Sequence, residues 1–218
     1  VVNDFDWGDH ADPMKPIEDL IIYELHVRGF TKHASSGVKH RGTFEGISEK
    51  IPYLKNLGVN ALELMPVYDF ETVDPEDSLK DERKNYWGYG PADFMAVKPE
   101  YAAKPENAGE SLRQFVKTLH REGMEIYLEI LFTGKEDTEY KLSCLRHWVL
   151  DYHVDGFHLM GDGVHQKVLE QDPILYGTKK MFSEIAGNAD TENMLAEYNA
   201  GFKQDMRRFL KSDEGMIS

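Results

Sequence analysis

Cysteine is almost absent: Cys144 is the single one in a chain of 218 residues. One thiol cannot close an internal disulfide, which excludes a stapled scaffold and fits a reducing, cytoplasmic compartment. Positive charge is scarce as well, with 25 Lys and Arg against 39 Asp and Glu and a formal net charge of −14. Such a surface repels polyanions, so neither nucleic acid nor an anionic membrane is expected as a partner. A neutral ligand such as a sugar suits it better. No apolar run is long enough to span a bilayer, and no signal peptide is recognisable. The first residue is Val1 rather than Met, so the chain reads as trimmed and a lost leader stays compatible with it. A glycine-rich phosphate fingerprint is also missing after the first β-type run, which argues against dinucleotide binding.

What is present is a repeating pattern. The apolar share of 41%, with 3 Trp, 11 Tyr and 11 Phe, is enough for one sizeable core. Residues 1–19 are polar and Pro-containing, with Trp7 as an anchor, and read as a lead-in to a domain over 20–218. Strands are predicted at 21–27, 59–66, 124–132, 156–160 and 179–184. Helices are predicted between them at 43–57, 111–122 and 141–152, the first stopped by Gly58 and the second by Gly123. Alternating short strands and helices imply parallel β/α units, in a doubly wound sheet or a (β/α)8 barrel. The missing fingerprint favours the barrel. About five strand units are visible, whereas a full barrel has eight strands in typically ~250 residues. The chain therefore reads as the first part of a barrel, which continues beyond Ser218 or closes its open edge by dimerising. The long connection over 68–101 is the main irregular insertion. It holds an acidic stretch at 74–82 and the aromatic run Asn85-Tyr86-Trp87-Gly88-Tyr89, and loops after barrel strands build the active face.

Several runs carry a family likeness. Tyr23-Glu24-Leu25-His26-Val27-Arg28-Gly29-Phe30 is similar to a first strand Y-E-x-H-V-R-x-F. Gly42-Thr43-Phe44, Ile51-Pro52-Tyr53-Leu54, Leu64-Met65-Pro66-Val67, Asn85-Tyr86-Trp87-Gly88-Tyr89 and Tyr101-Ala102 follow in the same order. Tyr198-Asn199, Phe202, Asp205 and Arg207-Arg208-Phe209 resemble W-N-x-x-F-R-D-x-x-R-x-F. In number, order and spacing these runs resemble the α-amylase family of glycoside hydrolases, closest to its isoamylase, pullulanase and glycogen-debranching branch. The resemblance spans roughly 20–215 and implies a (β/α)8 barrel acting on α-glucan or maltooligosaccharide.

The resemblance also implies three carboxylates, of which nucleophile and acid/base stand about 5–5.5 Å apart in a retaining enzyme. Asp155-Gly156-Phe157-His158-Leu159-Met160 resembles the fourth strand, D-G-F-R-F-D, so Met160 stands at the nucleophile and His158 at its partner arginine. Leu128-Glu129-Ile130-Leu131-Phe132-Thr133-Gly134 resembles L-D-V-V-x-N-H, so Glu129 replaces the aspartate and Thr133-Gly134 the Asn-His pair. Lys179-Lys180-Met181-Phe182-Ser183-Glu184 resembles K-L-I-A-E, which puts Glu184 at the acid/base, with Glu197 a rival nearby. A thioether cannot form the glycosyl ester. Asp162, between Gly161 and Gly163, is the candidate substitute nucleophile, although its displacement strains the required geometry. Tyr89, Trp87, His158 and Glu129 are the candidate substrate-binding residues. Two readings follow: a debranching hydrolase using displaced carboxylates, or a degenerate barrel that binds α-glucan or a protein partner. Loss of the nucleophile together with its neighbours favours catalytic impairment. His147, His153, His158 and His165 are scattered without a close helical pair, so neither a metal nor a cofactor is expected.

Overall fold

The structure is a computed structural model that describes residues 5–72, 85–161, 164, 166–182, 195–197 and 199–211. Its centre is a six-stranded, all-parallel sheet. The strands are β1 (Ile22–Leu25), β2 (Ala61–Leu64), β5 (Glu125–Phe132), β6 (Gly156–Gly161), β7 (Lys179–Phe182) and β8 (Leu195–Glu197), side by side in that order. This is the strand arrangement of a (β/α) barrel, with one more parallel strand than the pattern of residues indicated. That sixth strand, β8, is only three residues long and offers no periodicity to read.

The segment 68–101, expected to be irregular, instead holds an antiparallel pair, β3 (Tyr68–Phe70) and β4 (Ala92–Val97). Trp148 fixes this pair to the barrel wall: its indole N–H donates to the Phe94 carbonyl at 2.9 Å. The aromatic loop at 85–91 leads directly into β4.

The helices differ from expectation in instructive ways. The helix expected over 43–57 is two, α2 (Phe44–Ser48) and α3 (Ile51–Asn56). Pro52 lies in the first turn of α3, where its missing N–H costs nothing, but a continuous helix would need that N–H and would meet the ring. The first strand ends at Leu25, because the His26 ring caps a short helix, α1 (Val27–Thr31), accepting from the Gly29 N–H at 2.9 Å. Helix α4 (Ala108–Arg121) buries Leu112, Phe115, Val116 and Leu119, one stripe at helical spacing. Phe115 stacks on Phe44 of α2 with ring centres 5.8 Å apart. Helix α5 (Thr138–Tyr152) starts on Asp137, whose carboxylate accepts from the Tyr140 N–H at 2.8 Å, and buries Cys144, Leu145 and Trp148. Two further helices, α6 (Gln166–Gln171) and α7 (Ala200–Leu210), follow β6 and β8.

Side chains alternate across a strand, so Glu125, Tyr127, Glu129 and Leu131 of β5 share the face away from the helices. The lower layer of that face is polar. Lys179 Nζ donates to both carboxylate oxygens of Glu125 at 2.6 and 2.7 Å, and the Tyr127 hydroxyl donates to the same carboxylate. Burial and that carboxylate push the Tyr127 phenol well above its ordinary value. Gly156 makes the crossing feasible: a Cβ there would stand 2.1 Å from the Lys179 carbonyl oxygen. Among the described residues, no buried side-chain polar atom lacks a partner.

Candidate active site

One layer higher, toward the C-terminal ends of the strands, lies a second polar group. In the sheet register Glu129 of β5 stands opposite His158 of β6. His158 Nδ1 meets Glu63 Oε1 of β2 at 2.6 Å, and the Tyr89 hydroxyl donates to Glu129 Oε2 at 2.6 Å. Glu63, Glu129 and His158 are all buried, at 7%, 3% and 7% exposure. One ligand atom from each lies within 4.8 Å of the others, so these three residues have the donors to hold a cation.

The charges explain the pairing. Burial pushes the Glu129 carboxyl up to about 7; the Tyr89 hydrogen bond opposes this, and the Glu63 and Glu24 charges add to it. For His158, burial disfavours the charged ring, but the Glu63 hydrogen bond and the charges of Glu63, Glu129 and Glu24 together raise it above its ordinary value. The group therefore sets a ring held toward its charged form beside a carboxyl held toward its neutral form. Burial, then the Glu129 bond, raise the Tyr89 phenol, so it stays a donor.

Met160 is half-buried near the end of β6, opposite Leu131. Asp162, the candidate substitute nucleophile, and Glu184, the expected acid/base, lie outside the described residues, as does the acidic stretch at 74–82. At the end of β5, Thr133 turns away to Glu136, giving its N–H at 2.9 Å and its hydroxyl at 2.7 Å to that carboxylate.

Hydrogen bonds and ring contacts hold the aromatic loop beside this group. Asn85 accepts from the Gly88 N–H at 3.0 Å and donates to the Tyr89 carbonyl at 3.1 Å. Gly88 has φ 87° and lies against Phe70 and Pro66, where a side chain would collide. Tyr86 stacks on His26 with centroids 4.4 Å apart and planes 14° from parallel. Because His26 Nδ1 accepts from Gly29, its Nε2 carries the proton and donates to the Tyr86 carbonyl at 2.8 Å. Trp87 and Tyr86 remain 54% and 40% exposed, edge to face at 5.2 Å, an aromatic corner open to solvent.

The structure thus brings Tyr89, Glu129 and His158 together and leaves Trp87 at the rim. Glu63, Glu24 and His26 were not singled out as site residues by sequence reasoning. Glu63 had a readable signal: it is the one charge in the run Ala61-Leu62-Glu63-Leu64-Met65, which is costly in a buried strand without a partner.

Comparison with known proteins agrees with this frame. The Alpha amylase, catalytic domain family model matches residues 24–145. The chain belongs to the α-amylase family. It is 30% identical over 288 residues to isoamylase 3, chloroplastic, of Oryza sativa subsp. japonica, covering 97% of this chain and 37% of that protein. With isoamylase 1, chloroplastic, of Arabidopsis thaliana it shares 28% identity over 305 residues, covering 97% and 39%. The chain therefore spans about two-fifths of these relatives' length, and both alignments exceed its own 218 residues because they cross insertions it lacks. The pullulanase of Paenibacillus barengoltzii, solved with maltohexaose and α-cyclodextrin, superposes with a TM-score of 0.70 at 20% identity, over 93% of this chain and 42% of that one. The catalytic module of the pneumococcal glycogen-degrading protein SpuA gives 0.68 at 22%, over 93% and 38%. These likenesses give the (β/α)8 fold of the debranching branch. Among the described residues no helix is long and apolar enough to cross a membrane.

Proposed function

We propose that this chain provides an α-glucan-binding face of the debranching type that does not hydrolyse the glycosidic bond. One observation carries the reading: near the end of β6, where the family resemblance calls for a nucleophilic carboxylate, stands the half-buried thioether of Met160. A thioether offers no oxygen for a glycosyl ester. The nearby carboxylates do not replace it, since Glu63 and Glu129 are buried and already paired with His158 and Tyr89. What remains accessible is the aromatic corner of Trp87 and Tyr86, whose ring faces suit the C–H face of a pyranose. Its nearness to the strand ends, and a fold shared with a pullulanase solved with maltohexaose, support a maltooligosaccharide as ligand.

Reducing-end release from pullulan, glycogen and maltohexaose is the direct test, with calorimetric titration of maltohexaose alongside. Expected are release no faster than buffer, measurable binding, and about tenfold weaker binding after Trp87→Ala, the loss of one well-placed contact. Turnover that disappears in Asp162→Asn or Glu184→Gln would instead establish a hydrolase with displaced carboxylates. No maltohexaose binding by the unmutated protein would end the glucan reading.

A further inference from the structure

At the opposite, N-terminal end of the strands the fold gathers three histidines distant in sequence. His10 lies in the segment before β1, His120 in the last turn of α4, and His153 directly after α5. His10 Nε2 and His120 Nδ1 point at each other across 2.5 Å. Asp12 Oδ1 faces both, 3.7 Å from His10 Nε2 and 3.6 Å from His120 Nδ1. His10, Asp12 and His153 each offer a ligand atom within 4.8 Å of the others. Behind them His120 Nε2 meets Asp155 Oδ2 at 2.9 Å. That carboxylate also accepts the Ile126 N–H, so it takes the ring proton on Nε2 and leaves Nδ1 with its lone pair toward His10. A carboxylate–imidazole pair with the free nitrogen turned to a shared point is the arrangement that orients a metal ligand.

We propose that His10, His120, His153 and Asp12 form a site for a divalent first-row transition ion, Zn2+ foremost, which fastens the N-terminal segment to the underside of the barrel. The donor set decides the class. Three imidazoles are too nitrogen-rich for Ca2+ or Mg2+, and with one carboxylate and no thiolate they match borderline ions. Tetrahedral Zn–N bonds of about 2.0–2.1 Å set ligand atoms about 3.3 Å apart. The Asp12 separations are already close to this, and the two facing nitrogens need to part by about 1 Å. The side chains of His10 and His120 are 7% and 0% exposed, while Asp12 is 53% exposed and leaves an entry path. Asp12 and His153 also line a cleft of about 230 Å³.

The position suits a structural rather than a catalytic role, since the underside of a (β/α) barrel serves stability and the opposite face serves chemistry. The N-terminal segment already leans on this spot: Trp7 packs on His153 with ring centres 4.1 Å apart, and Lys117 Nζ donates to the Asp6 carbonyl at 2.8 Å. His153 holds φ 54°, a left-handed position normally left to glycine, and in that conformation presents an imidazole to the group. Its distance from the Met160 face makes the inference independent of any glucan reading.

The test uses the intact protein, stripped with EDTA and titrated with ZnCl2 by calorimetry, with Co2+ as a spectroscopic probe. Expected are one equivalent of Zn2+, visible bands of four-coordinate Co2+, and a higher unfolding midpoint with excess Zn2+. His10→Gln and His153→Gly should each weaken Zn2+ binding more than tenfold. Glycine suits the backbone at 153, so a native circular dichroism spectrum separates ligand loss from unfolding. Glu129→Gln, in the other candidate cation group, should keep the equivalent. Absence of stoichiometric Zn2+ uptake, unchanged affinity in both histidine variants, or loss in Glu129→Gln alone would overturn the proposal.

Discussion

Glu129→Gln tests the electrostatics of the upper layer more sharply than any change at the rim. Burial and the charges of Glu63 and Glu24 hold the Glu129 carboxyl at about 7 against an ordinary 4.5. The folded state thus binds this proton more tightly than the unfolded chain. The resulting stability is fully present below about pH 4.5, falls as pH rises, and is gone above about 7. At 1.36 kcal/mol per unit, the interval from 4.5 to 7 corresponds to about 3 kcal/mol. Glutamine keeps the shape and an oxygen to accept from Tyr89, and its amide can donate toward Glu63 without ever ionising. The variant should match the unmutated protein near pH 5 and exceed it by about 2–3 kcal/mol at pH 8. Urea unfolding followed by circular dichroism at pH 5, 6, 7 and 8 gives both curves, and subtraction removes every titration the two share. His158 contributes stability in the same direction, present below its ordinary pKa and lost as pH rises through the raised one, so it does not reverse the sign. A stability difference that is flat with pH, or a variant weaker at pH 8, would refute the assignment of Glu129 as a buried carboxyl held against its neighbours.

Gly156→Ala should cost more than about 3 kcal/mol, because the new methyl meets the Lys179 carbonyl on an adjacent strand at 2.1 Å and the Tyr127 ring at 2.9 Å. Thermal unfolding measures it, and near-neutral behaviour would mean the strands do not cross that closely. Trp148→Phe should lose about 2–3 kcal/mol by chemical denaturation, from the volume removed at a fully buried site and the orphaned Phe94 carbonyl. Met160→Asp alone should confer no reducing-end release from pullulan, since a further carboxylate beside Glu63 and Glu129 takes up a proton instead of acting as a nucleophile. Turnover in that variant would show the rest of the machinery to be intact.

The legible parts of the fold were those where one physical signal dominated. The apolar stripe of α4 and the eight-residue β5 stand out because their periodicity persists over more than two turns or pleats. Gly58 ends α3 in a left-handed conformation as read, with φ 83°. The misses came from tertiary context. The three residues of β3 and three of β8 are too short to carry a pattern and exist because neighbouring strands pair with them. The merging of α2 and α3 into one helix came from giving apolar spacing precedence over Pro52, whose steric veto is local and stronger.

The site divides along the same line. Residue identity was visible, so Met160 and His158 could be set against a nucleophile and an arginine. Partnership was not, because Glu63 and His158 are 95 residues apart and meet only when β2, β5 and β6 lie side by side. On the proposed reading, that pairing ties the two replacements together. The upper layer holds Glu24, Glu63 and Glu129 near His158. A fourth carboxylate at 160 would need a permanent cation beside it, which a guanidinium supplies and a histidine does not. With a neutral thioether at 160 that demand disappears, and an imidazole whose charged form Glu63 favours suits the layer. Arginine at 158 without an aspartate at 160 would bring a charge with fewer partners, and aspartate at 160 without the arginine would be driven to its protonated form. On the proposed reading the two substitutions are therefore stable together and unfavourable apart, so reverting either one alone should cost stability.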